Sequence, residues 1–133
     1  MDIKELILKH EGLRLKPYKD TIGKMTIGVG RNLDDVGISE NEAMIMLESD
    51  INNAKIQLST RLPFTDRLPE TVKMVLIDMA FNMGIGGLSG FKNFLTYLSN
   101  GDYQSASSEM LNSGWAVQVG TRAIELSEMI KNT

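Results

Sequence analysis

Two carboxylates, Glu11 and Asp20, close the two ends of the segment Glu11-Gly12-Leu13-Arg14-Leu15-Lys16-Pro17-Tyr18-Lys19-Asp20. A pair of carboxyl groups can divide acid–base work when one keeps its proton and the other stays ionised. A helix end disfavours negative charge, whereas an exposed turn tolerates it, so Glu11 suits the first part and Asp20 the second. Other chemistries are narrow. The chain has no cysteine, which removes disulfides, thiolate nucleophiles and Cys-based zinc sites and fits synthesis in a reducing cytoplasm. Its one histidine, His10, continues an apolar helical face and reads as packed or partly exposed, not catalytic. A multi-histidine metal site is impossible, and neither metal nor other cofactor is expected.

The elements that must position these groups follow from pattern. Asp2 and Glu5 form a capping box ahead of Ile3, Leu6, Ile7 and His10, with Gly12 as the stop, so a short helix ends near Glu11. From Leu13 to Gly30 the helical period is lost. Pro17, the turn candidate Thr21-Ile22-Gly23-Lys24 and the β-branched Thr26, Ile27 and Val29 predict a small hairpin. Ser39 and Glu42 make a second capping box before a helix of about 20 residues through Ala43, Leu47, Ile51, Ala54 and Leu58. Beyond Pro63, Pro69 opens the most apolar helix, through Val72, Leu76, Met79, Ala80 and Met83 to a stop at Gly84. Gly84, Gly86 and Gly87 read as a turn, and Leu88 to Leu98 as another helix ended by Asn100-Gly101. Asp102 caps a short helix, Asn112-Ser113-Gly114 breaks it, and a last helix carries Ala123, Leu126, Met129 and Ile130. The nine methionines read as core filler, and Glu40-Asn41-Glu42 and Glu48-Ser49-Asp50 as solvated faces. The expected fold is α+β and mostly α, one domain over 1–133. A hairpin lobe covers about 13–37, and a helical lobe about 38–133 plus the N-terminal helix, with a ligand cleft between the lobes.

Glu11-Gly12, Arg14-Leu15, Tyr18, Asp20 and Gly23, followed by Thr26-Ile27-Gly28-Val29-Gly30, together resemble the motif of bacteriophage-type lysozymes. Ala80-Phe81-Asn82-Met83-Gly84 with Gly87 and Gly90-Phe91 is similar to that family's central helix and glycine turn, and Trp115 with Thr121-Arg122-Ala123 to its C-terminal segment. The resemblance runs in order through most of the chain. It implies a lysozyme-like fold and a muramidase that cuts N-acetylmuramic acid to N-acetylglucosamine linkages of bacterial peptidoglycan, probing one carboxyl as acid against another. Glu11 is then the general acid. Asp20 orients or activates water, or stabilises the transition state, and the resemblance gives Thr26 the attacking water and the reaction an inverting outcome. It also implies that Phe81 lines the cleft and that Arg122 lies against Glu11, where its charge would favour the ionised form of the acid. Taken alone, Glu11 reads as a solvated helix end, Asp20 as a turn former, Phe81 as core packing and Trp115 as structural. The joint spacing of Glu11, Asp20 and Thr26 is what favours catalysis.

Departures from the pattern are local. Arg31 stands where many relatives carry histidine, and the stretch from Asn32 to Gly37 is short, which predicts a trimmed hairpin lobe with fewer sugar subsites. The net charge of −3 and pI of about 5.1 argue against a general nucleic-acid binder. No run of roughly 18 uncharged apolar residues is expected to span a membrane, and the N-terminus lacks the pattern of a signal peptide. The resemblance implies an endolysin held in the host bacterial cytoplasm until a holin or similar pore gives it the wall, and a monomer is the default expectation. Two alternatives stay open: a chitinase or lytic transglycosylase on the same scaffold, and a catalytically silent muramidase-like module that binds glycan or a protein.

Overall fold

Asp2 opens the first helix, α1 (Ile3–Glu11), by accepting the Glu5 amide at 2.8 Å, and Gly12 closes it at φ 74°. The computed structural model describes all 133 residues. Strands β1 (Arg14–Lys19), β2 (Met25–Gly28) and β3 (Arg31–Asn32) form an antiparallel sheet in the order β1-β2-β3. The two-residue β3 lies beyond the hairpin expected from sequence. Six further helices follow: α2 (Glu40–Arg61), α3 (Glu70–Ser89), α4 (Lys92–Ser99), α5 (Tyr103–Leu111), α6 (Gly114–Val119) and α7 (Thr121–Lys131), with a 3-10 turn at Pro63–Arg67. The mostly α, lysozyme-like α+β fold is thus present.

The chain divides into two units, Met1–Met46 and Leu47–Thr133. In the first, α1 has no buried residue and the sheet buries only Thr26. The polar stretch after β3 braces the hairpin, because Asp34 accepts the Met25 amide at 2.8 Å and Asp35 pairs with the Lys24 ammonium at 3.1 Å. Arg14 lies over the Tyr18 ring, 4.4 Å from its centroid. β1 shifts register between Arg14 and Tyr18, the stretch that contains Pro17, which has no amide to give a ladder.

In the second unit α3 supplies the core: Val72, Val75, Leu76, Met79 and Leu88 are wholly buried, with Phe94, Leu98, Met110 and Ile130 from α4, α5 and α7. Each such side chain contributes about 1.5–3 kcal/mol through removal from water. α5 packs on α4 and α7, and α7 also meets α3 and α6. The buried Ser107 hydroxyl donates to the Ser127 carbonyl at 3.0 Å, so it enters the core satisfied.

Several expectations need correction. Gly84 does break α3, at φ 80° and ψ 159°, but Gly86 and Gly87 then lie in a helical turn rather than a loop. The stretch from Leu88 to Leu98 is two pieces, divided at Gly90-Phe91. Of the nine methionines only Met79 and Met110 are buried, while Met44, Met46 and Met74 are more than half exposed. Unbranched apolar side chains at helical spacing do not by themselves say which face is covered. α3 has the length and mean hydropathy, 1.2, of a membrane span, but Lys73 and Asp78 interrupt any uncharged run of that length, and the side chains it places in the core account for its apolar composition.

Candidate active site

Glu11 is the last residue of α1, and its side chain is exposed along the chain reversal between β2 and β3. That reversal, Gly28-Val29-Gly30, joins the paired residues Ile27 and Arg31 and has φ +69° at both glycines. The Glu11 side chain rests on Gly30 so closely that a Cβ there would lie 2.6 Å from Oε2. Glycine is required twice over, by a left-handed backbone and by this approach.

Asp20 and Thr26 meet at the backbone of Lys24, the Asp20 carboxylate on its amide and the Thr26 hydroxyl on its carbonyl. Asp20 Oδ1 accepts the Ile22 amide at 3.0 Å and the Lys24 amide at 2.9 Å, the geometry of a side chain closing its own turn. The Lys24 carbonyl accepts both the Asp20 amide, at 2.9 Å, and the Thr26 hydroxyl, at 2.9 Å. Two chemical consequences follow. Asp20 is fixed through one oxygen, which leaves Oδ2 without a backbone partner. The Thr26 hydroxyl has its proton committed, so towards any further group it acts as an acceptor. Thr26 is buried, at 3% exposure, so its hydroxyl is held and not free to rotate into solvent.

Arg31 is accounted for by a partner that the sequence pattern did not suggest. Its guanidinium grips Glu42 through two bonds, 2.8 Å to Oε1 and 2.7 Å to Oε2, and reaches the Gly37 carbonyl at 3.1 Å. Glu42 also completes the capping box, exchanging bonds with Ser39 at 2.9 and 3.1 Å. These Arg31 bonds, and then the Ser39 amide, hold the Glu42 carboxyl down to about 2, and Arg31 in turn is raised above its ordinary value. Glu42 is therefore not simply part of a solvated face, as its neighbours suggested.

Phe81 and Arg122 lie in the second unit and share a cavity of about 430 Å³ with Leu47, Ile51, Met74 and Asp78. Phe81 is 47% exposed, so it is not core packing. Arg122 Nε donates to Asp78 Oδ1 at 2.8 Å, which fixes the guanidinium on α3. Trp115 is buried as expected, and its indole N–H donates to Asn82 Oδ1 at 2.9 Å. No three His, Cys, Asp or Glu side chains converge as a metal site would require.

Sequence reasoning missed the Lys24 backbone, Glu42 as the partner of Arg31, and Asp78 as the partner of Arg122. A backbone group has no signature. Asp78 had one, as a carboxylate inside the most apolar helix.

The family model for phage lysozyme matches residues 8–131, a span that contains Glu11, Asp20, Thr26, Phe81 and Arg122. The chain belongs to the phage lysozyme family. Among its relatives is a protein named "Endolysin" from Acyrthosiphon pisum secondary endosymbiont phage 1, 32% identical over 88% of this chain and 80% of that protein. "Probable T4-type lysozyme 2" of Dictyostelium discoideum is 28% identical over 91% of this chain and 88% of its own. The "Pre-baseplate central spike protein Gp5" of Enterobacteria phage T4 is 28% identical over 98% of this chain, which spans only 28% of that longer protein. Membership in the phage lysozyme family carries a lysozyme-type function.

Proposed function

We propose that this phage lysozyme family member is a muramidase, hydrolysing the bond between N-acetylmuramic acid and N-acetylglucosamine in bacterial peptidoglycan with inversion. The arrangement at the Lys24 backbone carries this reading. In this reading a water makes one hydrogen bond to Thr26 Oγ1 and another to Asp20 Oδ2, the oxygen that the turn leaves free, and keeps a lone pair for attack. Glu11 gives its proton to the glycosidic oxygen, the C1–O bond breaks, and the water oxygen bonds to C1 from the opposite face as Asp20 takes its proton. Bond making and bond breaking on opposite faces invert the anomeric carbon. Phe81 offers an apolar face to a sugar ring, and Arg122, oriented by Asp78, offers hydrogen-bond donors to the glycan.

The setting we infer is that of an endolysin, a monomer kept in the host bacterial cytoplasm until a holin-type pore admits it to the wall. The name of the phage relative called "Endolysin" supports the lytic part of that reading. The deciding experiment compares wild type with Glu11→Gln on insoluble peptidoglycan, following turbidity, new reducing ends and the anomer first released. The variant keeps its shape and loses the donatable proton, so a loss of about 10²-fold or more is expected. Anhydro-sugar ends would instead indicate a lytic transglycosylase. Binding without cleavage by both proteins would leave a silent glycan-binding module.

A further inference from the structure

We propose that Gly30 is a positioning residue for Glu11, its bare Cα forming the seat that fixes where the carboxyl points; the proposal rests on Glu11 being the acid. The contact is broad. A Cβ at Gly30 would come within 2.6 Å of Oε2, 2.9 Å of Cδ and 3.0 Å of Cγ, so the outer half of the Glu11 side chain lies on this residue. Both sides of the contact are anchored. Glu11 is fixed by α1 and the Gly12 amide bonded to Leu8 at 2.8 Å. Gly30 is fixed by its neighbour Arg31, paired with Ile27 across the sheet and clamped to Glu42 and the Gly37 carbonyl.

Gly28 separates the two demands that act at Gly30. It has the same φ, +69°, and nothing within 4 Å of where its Cβ would stand. Both positions have a left-handed φ that strains alanine, but only at 30 does its Cβ also push on Glu11. Ordinary contact begins at 3.4 Å, so Oε2 must recede by about 0.8 Å. The end of a glutamate swings away at little cost to folding. What is lost is its position, and a displacement near 1 Å at a reacting group costs about 10²-fold in rate.

The test takes wild type, Gly28→Ala, Gly30→Ala and Glu11→Gln, with kcat, KM and pH–rate profiles on soluble peptidoglycan fragments and melting curves alongside. Both glycine variants should melt at similar temperatures, below wild type. Gly28→Ala should keep kcat near wild type, while Gly30→Ala loses about 10²-fold in kcat at similar KM and its pH–rate profile moves. Equal kcat and equal profiles in the two glycine variants, with Glu11→Gln inactive, overturn the seat alone. Full activity in Glu11→Gln removes the acid assignment and the seat with it. Should Gly30→Ala fail to fold, a nuclear Overhauser contact between the Gly30 α-protons and the Glu11 γ-protons in wild type decides the matter, and its absence overturns the proposal.

Discussion

Thr26→Val removes one hydroxyl while keeping a β-branched side chain of similar shape that suits a strand. The structure separates what this does to stability from what it does to turnover. Thr26 donates to the Lys24 carbonyl at 2.9 Å, and that carbonyl also accepts the Asp20 amide at 2.9 Å. Losing the hydroxyl therefore leaves no orphaned acceptor, and the cost is that of one ordinary hydrogen bond, about 1 kcal/mol. For a chain of this size the melting temperature should fall by roughly 3–5 °C. In the proposed mechanism the same hydroxyl is also the acceptor that aligns the attacking water. One aimed hydrogen bond in a transition state is worth about 10²–10³-fold in kcat, or roughly 3–4 kcal/mol. Release of reducing ends and calorimetry on the same preparations give both numbers, and Thr26→Ser should restore most of each. A Thr26→Val protein that melts as expected but turns over within a few-fold of wild type would refute the reasoning, reducing Thr26 to a turn-stabilising residue.

Glu42 gives a pH-dependent test of the Arg31 clamp. Its carboxyl sits near 2 when folded, against an ordinary 4.5, so its contribution is complete above about pH 4.5 and disappears as pH falls through 2. Glu42→Gln should melt below wild type at pH 6, with the gap closing between those limits; a gap that does not change with pH would show that the ion pair adds nothing. If the proposed substrate is the anionic cell wall, the chain's net charge of −3 opposes its approach, and such repulsion is screened within about 10 Å at 0.1 M salt. Clearance of peptidoglycan should accordingly rise from low to moderate ionic strength, and a steep fall would contradict this electrostatic account.

The helices were legible because their signals are local. Asp2, Ser39 and Asp102 act on amides three residues away, and Gly12 and Gly101 stop helices through their own positive φ. The apolar period of α3 announced the core, while the spacing of Glu11, Asp20 and Thr26 pointed to a site only through a family resemblance. What local pattern could not reach was every bond between distant positions. Arg31 looked like a bare departure from a motif until it met Glu42, 11 residues on. Arg122 found Asp78 across 44 residues, and Trp115 found Asn82 across 33. The methionines failed as a guide for the same reason, since burial depends on which neighbours the fold supplies. Composition and spacing fixed the chemistry available to this chain. Only the folded backbone, by bringing the Lys24 amide and carbonyl to Asp20 and Thr26 and Gly30 to Glu11, decided which of their atoms are held and which are left without a partner.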